Sequence, residues 1–366
     1  MQTLHWSIVV QREQNRKDVD KGGGGERDLK SRPGQALSLT EMAEEAELCF
    51  PLLANTSCRR TPRPRSAVIG VSLLLSVMSL LTIILNLLVI ISIAHFRQLQ
   101  TTTNLLLLSL ASSDFLVGFF MLFQIFLLDS CWLFGDLMCA LLYILDHVIT
   151  SASIGSMVLI SVERYVAICD PLGYPIRVTK RRVGISIVVC WSLSSVFNIA
   201  CSVDTLQQPG RAISCVGECL IIVTPAAGLA DLFFSFVGPI TTIVMLNMRV
   251  FVVAMSQARV AHSRVGVVTA RPSHVPKSSE LKAARTLGVV VAVFVVCIMP
   301  FFCVVISGQD VMLNALSSAV ITCLFYFNSC LNPLIYAIFY PWFRRSIKLI
   351  VTLQIVQPDS SMANLL

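Results

Sequence analysis

Charged residues are scarce in this sequence. They make up 13% of its 366 residues, whereas 55% are hydrophobic and the mean hydropathy is +0.76. This composition excludes an ordinary soluble domain. The apolar residues are also clustered, since residues 67–94 contain no Lys, Arg, Asp or Glu. Because a membrane-spanning helix needs about 20 mostly apolar residues in a row, the sequence predicts a membrane protein.

The motifs that are typical of several functional classes are absent from this sequence. The 13 cysteines include no CxxC pair and no Cys/His spacing suited to zinc, so no metal site is expected. The formal net charge is +7, but the basic residues adjoin apolar runs, where they set membrane topology, and no nucleic-acid partner is expected. No enzyme activity is expected either, because His147, beside Asp146, would point to another face of its helix rather than form a catalytic dyad.

Seven apolar runs are long enough to cross a membrane, so we predict an all-α membrane protein, a seven-transmembrane helix bundle. The predicted spans are Ala67–Ala94, Asn104–Leu128, Cys139–Ile168, Gly184–Val203, Leu220–Ala254, Ala284–Ser307 and Leu313–Phe339. We expect four regions: a disordered extracellular tail (1–66), the bundle (67–341), a short amphipathic C-terminal helix lying on membrane lipid (342–353) and a cytosolic tail (354–366).

The Lys and Arg residues of the short loops predict the orientation in the plasma membrane. One alternate set of loops holds Arg97, the basic cluster at 177–182 and the basic residues of 259–285, whereas the other set holds only Arg211. The basic loops and the C-terminus are therefore expected in the cytosol, with the N-terminus outside. That placement makes Asn55 a candidate glycosylation site. It also puts five cysteines on the oxidising side: Cys49, Cys58, Cys139, Cys215 and Cys219.

Ionisable residues inside a span are costly unless they face a cavity or a partner. Asp114 falls near the middle of the second span, whereas Asp146 and Asp231 fall in the outer halves of the third and fifth. No Lys or Arg occurs at the depth of the two outer acids, so they require an external cation. A ligand with two ammonium groups would satisfy both. Phe301, Phe302 and Tyr326, at a similar depth, are expected to supply aromatic walls.

Two motifs near the cytosolic ends of their spans predict a signalling device. Glu163-Arg164-Tyr165 closes the third span, and Asn332-Pro333 lies in the inner half of the seventh, followed by Tyr336. A proline inside a helix frees a backbone carbonyl and creates a bendable joint, which the adjacent asparagine can stabilise.

Over about residues 67–353 the sequence resembles the rhodopsin-like G-protein-coupled receptors. The shared marks are Asn86, Asp114, Cys139, Glu163-Arg164-Tyr165, Trp191, Pro239, Pro300 and the Asn332-Pro333 motif. Within that class it resembles the trace amine-associated receptors in four segments: the seventh-span pattern that runs from Asn328-Ser329 to Trp342-Phe343, AICDPL at 167–172, ELKAARTLG at 280–288 and LCFPLLANTSC at 48–58.

The resemblance assigns roles to several of these residues. Asp146 would pair with the ligand amine, and Asp231 would add the preference for diamines found in fish-type members. Cys139 would pair with Cys219, and Cys215 with a tail cysteine, for which the position after the sequon favours Cys58. Arg164 would bind Glu163 and Glu280 in the inactive state, next to Tyr165. An allosteric sodium ion would be held by Asp114, Ser153, Asn328, Ser329 and Asn332.

The sequence departs from the resemblance at three positions between the ligand and the cytosol. Ile298 stands where these receptors usually have tryptophan below the ligand, Cys323 where amine receptors place a pocket tryptophan, and Asn247 where a tyrosine stabilises the active state. The resemblance also implies a heterotrimeric G protein of the stimulatory or olfactory type. The three departures predict weakened signalling but leave the fold intact.

The alternatives are less well supported. A monoamine neurotransmitter receptor would usually carry serine or threonine at Asp231, and a retinal receptor would need a lysine in the seventh span, which has none. A transporter would show repeated halves or paired broken helices, and none is evident.

Overall fold

The computed structural model describes residues 48–53, 55–58, 65–128, 131–207, 215–217, 219, 224–264, 278–307, 315–357, 360–363 and 365. These residues are almost entirely helical, with one isolated bridge between Ser57 and Val216. The long helices are α1 (Arg65–His95), α2 (Thr102–Leu128), α3 (Gly135–Cys169), α4 (Lys180–Cys201), α5 (225–264), α6 (Ser278–Ser307) and α7 (Ala315–Phe339). A short helix, α8 (Pro341–Val351), follows α7.

The helices confirm the predicted seven-helix bundle. Within the described residues, six are long and apolar enough to cross a membrane, and α6 contributes the shorter apolar stretch Gly288–Val304. The bundle buries polar side chains at its centre, where Asn86 and Asp114 have no exposed surface, and it exposes leucine and valine outward. This distribution suits a protein surrounded by lipid, because the interior must satisfy polar groups that lipid cannot solvate.

Most helices extend a few residues beyond the predicted spans, because a helix can continue past the hydrocarbon layer without apolar side chains. The α3 helix starts at Gly135, four residues before the predicted span. Gly135 has a positive φ of 76°, and its carbonyl accepts a hydrogen bond of 2.8 Å from Trp132 Nε1. The predicted amphipathic helix corresponds to α8, which ends at Val351, two residues before the predicted end, and Leu353 adopts the left-handed conformation.

One end of the bundle, hereafter the disulfide end, is covered by the segment Leu48–Cys58. Disulfides join Cys49 to Cys131, before α3, and Cys58 to Cys215, in the loop before α5. Backbone hydrogen bonds add to these links, with Cys58 N donating to Val216 O (2.9 Å) and Val216 N donating to Thr56 O (2.7 Å). This segment was predicted as part of the disordered tail and is instead folded, because covalent links replace the hydrophobic core that its composition cannot supply.

The opposite end, hereafter the Arg164 end, carries α8 and the C-terminal tail. The buried face of α8 includes Trp342 and Phe343, whereas Arg344 is exposed and donates to the last carbonyls of α7, at Ala337 and Ile338. A basic side chain at this position satisfies carbonyls that a helix terminus leaves unpaired.

Beyond α8 the tail folds back on the bundle, and Leu365 is only 1% exposed. Arg345 Nη1 of α8 donates to Leu365 O (3.1 Å), and Leu365 N donates to Gln98 Oε1 (3.4 Å) in the loop between α1 and α2. Ser360 Oγ lies 3.0 Å from His95 Nε2 at the end of α1. The tail therefore bridges the first loop and α8.

Candidate functional site

A cavity of about 110 Å³ lies between α3, α5, α6 and α7 in the disulfide half of the bundle. Its polar lining comes from α3 and α5 and consists of Asp146, His147, Thr150, Ser151, Asp231 and Ser235. Among the described residues that line it, none is a lysine or an arginine. The two carboxylates that the sequence singled out thus face one cavity with no basic side chain in its wall.

Asp146 is held from the opposite side of the bundle. Tyr326 of α7 donates its hydroxyl to Asp146 Oδ2 at 3.3 Å. The other oxygen, Oδ1, is buried and has no hydrogen-bond partner among the described residues. A buried carboxylate oxygen without a partner is costly, and a bound cation would remove that cost. Tyr326 acts on the cavity through this bond and is not itself part of the lining.

Asp231 ends the first helical segment of α5, Pro225–Asp231, and the next turn, Leu232–Val237, is a π-helix. Ser235, in that wide turn, donates its hydroxyl to Asp231 Oδ1 at 2.7 Å. Pro239, shortly after, has no backbone N–H, and its ring would clash with the carbonyl four residues earlier, so a local widening relieves the clash. Ser235 orients Asp231, a role that the sequence reasoning missed because it depends on this local geometry.

His147 lines the same cavity as Asp146, a contact that the sequence reasoning missed. Its Nδ1 lies 2.9 Å from Tyr143 O, and its ring lies 4.1 Å from the Tyr143 ring. Adjacent helical residues diverge by about 100°, but a cavity that wraps around a helix contacts both. The histidine therefore belongs to the polar wall.

Aromatic side chains of α6 and α7 form the apolar wall. Phe301, Phe302 and Phe325 line the cavity, and Phe302 stacks on Phe236 of α5 with ring centres 3.9 Å apart. Ile298 is buried below them in the main hydrophobic core, and Cys323 is buried in a second apolar cluster with Tyr326. The two positions that usually carry tryptophan are thus filled by smaller packed side chains.

A second polar cluster surrounds Asp114, which is fully buried. Ser153 donates to Asp114 Oδ1 (2.9 Å) and Asn332 Nδ2 donates to Oδ2 (2.8 Å), so the cluster joins α2, α3 and α7. Asn328 lies one helical turn before Asn332 on α7. Its Oδ1 is buried and has no hydrogen-bond partner among the described residues. Ser329 is also buried, and its carbonyl accepts a bond from Asn86 of α1 (3.0 Å).

At the Arg164 end, the Glu163 carboxylate pairs with Arg164 and accepts hydrogen bonds from two hydroxyl groups. Arg164 Nε lies 2.8 Å from Glu163 Oε2, and Oε1 accepts bonds from Thr103 Oγ1 (2.8 Å) and from the Tyr174 hydroxyl (2.6 Å). Arg164 Nη2 also donates to Thr103 Oγ1. Burial, and then the bond to Glu163, raise the pKa of Tyr174 above its ordinary value of 10.0, so its hydroxyl keeps its proton and donates.

Other residues of the predicted coupling set lie nearby. Tyr165 is exposed, Pro333 lies inside α7, and Tyr336 is buried. Asn247 Nδ2 of α5 donates to Ser161 Oγ of α3 at 3.1 Å. The side chain of Glu280 lies outside the described residues, so its predicted contact with Arg164 stays a prediction.

Three disulfides tie the disulfide end together. The structure joins Cys139 to Cys219 and Cys58 to Cys215, the two pairings that the resemblance implied. It adds the pair Cys49–Cys131, which the sequence reasoning missed, because nothing in the cysteine spacing assigns Cys131 a partner. Asn55 lies exposed in the turn between the two tail cysteines, and its glycosylation stays a prediction.

Comparisons with known proteins agree on one family. Residues 85–336 match the family described as 7 transmembrane receptor (rhodopsin family). Similar proteins include trace amine-associated receptor 4 of Mus musculus, which is 36% identical over 333 residues (88% of this chain and 96% of the relative). Trace amine-associated receptor 13c of Danio rerio is 35% identical over 333 residues (88% and 97%). Trace amine-associated receptor 1 of Mus musculus is 36% identical over 330 residues (87% and 99%).

Proposed function

The chain belongs to the trace amine-associated receptors of the rhodopsin family, and from this premise we propose that it binds an extracellular diamine through Asp146 and Asp231. It is a G-protein-coupled receptor and not an enzyme. The names of its relatives support a protonated amine as the ligand class. The observation that carries the diamine proposal is the pair of carboxylates in one cavity whose described lining has no Lys or Arg.

Charge balance supports a ligand with two cationic ends. Asp146 Oδ1 lacks a partner within the described residues, so one ammonium group would complete its hydrogen bonds. A second ammonium would balance Asp231. The aromatic wall formed by Phe301, Phe302 and Phe325 would cover the hydrocarbon chain between the two groups and offer ring faces to the cations.

A monoamine receptor is the rival proposal. Such a receptor would use hydroxyl groups of α5 to bind polar ring substituents. Here the cavity-lining hydroxyl of Ser235 already donates to Asp231 (2.7 Å). That bond indicates that Ser235 positions Asp231 and does not bind a ligand hydroxyl directly.

We further propose that the disulfide end faces outside the plasma membrane and the Arg164 end faces the cytosol. The three disulfides require an oxidising compartment, and the basic residues of the loops between helices lie at the other end, where they outnumber the arginines at 59, 60, 63 and 65 that precede the first span. Ligand binding would shift the bundle away from the Glu163–Arg164 pairing and toward a state that binds a stimulatory, olfactory-type G protein. Such coupling would suit a role in olfaction.

The Asp114 cluster fits the sodium ion that this receptor class implies. Hard cations prefer oxygen ligands, and the cluster offers the Asp114 carboxylate and the hydroxyls of Ser153 and Ser329, all buried. Bound there, sodium would stabilise the state in which Asn332 contacts Asp114.

The test is a pair of neutral variants of the full-length receptor expressed at the cell surface. We expect Asp146→Asn to abolish cyclic AMP responses to alkylamines and diamines alike. Asp231→Asn should weaken responses to α,ω-diamines by about 30-fold or more and leave n-alkylamines nearly unchanged, because removing one partner of a buried charge pair costs about 2 to 5 kcal/mol.

Exposed acids at the same end of the bundle provide matched controls. Asp136→Asn, in the first turn of α3, and Asp204→Asn, after α4, remove the same charge outside the cavity lining and should not change potency. Equal diamine potency in wild type and Asp231→Asn would reject the second-acid role. Direct binding to membranes separates lost affinity from lost coupling.

A further inference from the structure

The C-terminal tail is held at the Arg164 end by its backbone and by one side chain. The side-chain amide of Gln98, in the first loop, donates from Nε2 to Met362 O and accepts at Oε1 from Leu365 N, each at 3.4 Å. The Leu365 side chain, 1% exposed, packs in the main hydrophobic core. The tail therefore docks as a peptide ligand does, through backbone bonds and one buried anchor.

Ser360 holds the start of this docked segment with a hydroxyl that is used twice. Its O–H donates to Ile355 O at 2.7 Å, and its oxygen lies 3.0 Å from His95 Nε2 at the end of α1. Because the single hydroxyl proton goes to Ile355 O, the imidazole donates its Nε2–H to the serine oxygen. The contact thus requires a group that donates and accepts at the same atom.

A phosphate ester on Ser360 cannot reproduce this contact. The esterified oxygen has no proton, so it would face Ile355 O as one acceptor against another. The phosphoryl group also brings a charge of about −1.5 to −2 and three strong acceptor oxygens into a contact between half-buried residues. His95 can bond a phosphate oxygen only after the serine has left Ile355, so the docked arrangement is lost in either case.

The next residue provides a matched comparison. Ser361 is also half-buried, but its hydroxyl makes no hydrogen bond within the part of the chain that the structure describes. A phosphate there would add the same charge without removing a bond. A difference between the two serines therefore reports the contacts of Ser360 and not the added charge.

We propose that Ser360 is a phosphorylation site whose phosphate releases the docked tail. A serine kinase that uses Mg·ATP would break the O–H bond and release its proton, form a bond from the oxygen to the γ-phosphorus of ATP, and release ADP. The kinase acts on the tail while it is transiently released, and the phosphate then prevents its return. Release exposes Leu365 and uncovers the surface formed by the first loop and α8. The inference rests on the proposed cytosolic position of the Arg164 end and not on the ligand.

The first measurement asks where phosphate is added in cells. Phosphopeptide mapping of the full-length receptor isolated from expressing cells should find phosphate on Ser360. Leu365→Asp, which releases the tail, should raise the phosphorylated fraction of Ser360 severalfold, because the kinase then meets an accessible segment. The control Leu353→Asp alters an exposed leucine and should leave that fraction unchanged.

The second measurement asks what the phosphate does. Hydrogen exchange is followed in full-length receptor that carries phosphoserine installed at position 360 during synthesis. Exchange in the peptide that contains the Leu365 amide, which is bonded to Gln98 in the docked tail, should increase about tenfold or more, because a buried carbonyl loses its donor. Phosphoserine installed at position 361 should leave exchange close to that of wild type. Removal of the phosphate at position 360 by a phosphatase should restore slow exchange, which separates release from misfolding.

The outcomes separate this inference from the proposed function. Absence of phosphate on Ser360 in both wild type and Leu365→Asp would overturn the modification. Unchanged or slower exchange with phosphoserine at position 360 would overturn the release, and so would equal increases at positions 360 and 361. An antibody against the C-terminus that labels unpermeabilised cells would overturn the proposed orientation and this inference with it. A failure of the diamine proposal at Asp231 would leave both measurements unaffected.

Discussion

Single polar side chains hold α3 to its neighbours, and two of them form a matched pair. Asn198 of α4 donates to Ser151 of α3, and Asn247 of α5 donates to Ser161 of α3, each at 3.1 Å. Both asparagines also bond the carbonyl one turn earlier in their own helix. The two asparagines differ in their position along the bundle, since only Asn247 lies near the Arg164 end.

We expect Asn247→Ala to raise basal cyclic AMP, because it releases α5 from α3 close to the Arg164 end. Asn198→Ala should lower the thermal midpoint by a similar amount, corresponding to about 1 kcal/mol for one hydrogen bond, without changing basal signalling. Basal cyclic AMP at matched surface expression, together with melting in detergent, checks both expectations. A rise in basal cyclic AMP in both variants would show that general loosening of the bundle causes it.

Tyr174 offers a residue-scale test of the Glu163–Arg164 pairing. Tyr174→Phe removes the 2.6 Å bond to Glu163 and should raise basal signalling, since hydrogen bonds to charged groups contribute about 1.5 to 3 kcal/mol. Ionisation of Tyr174 would place a second negative charge beside Glu163 and weaken the pairing. Because burial raises the pKa of Tyr174 above 10.0, that loss occurs only in strongly alkaline solution.

The ratio of basal G-protein activation in Tyr174→Phe membranes to that in wild-type membranes should therefore stay constant from pH 6.5 to pH 8.5. A ratio that falls toward one within this range would mean that Tyr174 already ionises there.

Among the elements, the folded segment Leu48–Cys58 depends on covalent links. The pair Cys49–Cys131 spans a sequence separation of 82 residues, and a disulfide that closes a long loop typically contributes about 2 to 4 kcal/mol. The double variant Cys49→Ser/Cys131→Ser should therefore lower the thermal midpoint of the purified receptor. Cys303→Ser, which alters an exposed free cysteine of α6, is the control and should melt as wild type.

Loss of this disulfide should also speed ligand entry, because the segment lies over the disulfide end. Association rates of labelled diamine would report this effect. An unchanged midpoint in the double variant would show that the backbone bonds to Val216 hold the segment without the Cys49–Cys131 link.

For the whole molecule, the contact made by the C-terminal tail predicts that substitutions of two leucines in the tail have different effects on stability. Leu365 is 1% exposed, whereas Leu353 is 71% exposed. Leu365→Asp should release the tail, since full burial of a leucine contributes about 1.5 to 3 kcal/mol and a buried carboxylate adds a further penalty. Hydrogen exchange should then increase in α8 and in the loop at Gln98. Leu353→Asp should leave exchange unchanged, and equal exchange in both variants would contradict a docked tail.

The architecture was predictable from the sequence because membrane spans depend on local composition. Runs of apolar residues located the helices, and Asp114, Asp146 and Asp231 were recognisable because charge is so rare there. The roles of His147, Ser235 and Leu365 were not predictable in this way. Each depends on a contact across or around helices, such as a π-helical turn or a tail that folds back, and one sequence does not encode such contacts in a local pattern.

The disulfides also impose an order on biosynthesis. Cys49 and Cys58 are translated before their partners, which follow after separations of 82 and 157 residues. Until then the two tail thiols are each other's nearest candidates, and in the folded protein Cys49 N donates to Cys58 O at 2.9 Å. A premature bond between them would have to be exchanged once the loop containing Cys215 has emerged. In the proposed orientation these thiols are oxidised in the lumen of the endoplasmic reticulum, so the yield of mature receptor should depend on disulfide isomerase capacity in the producing cell.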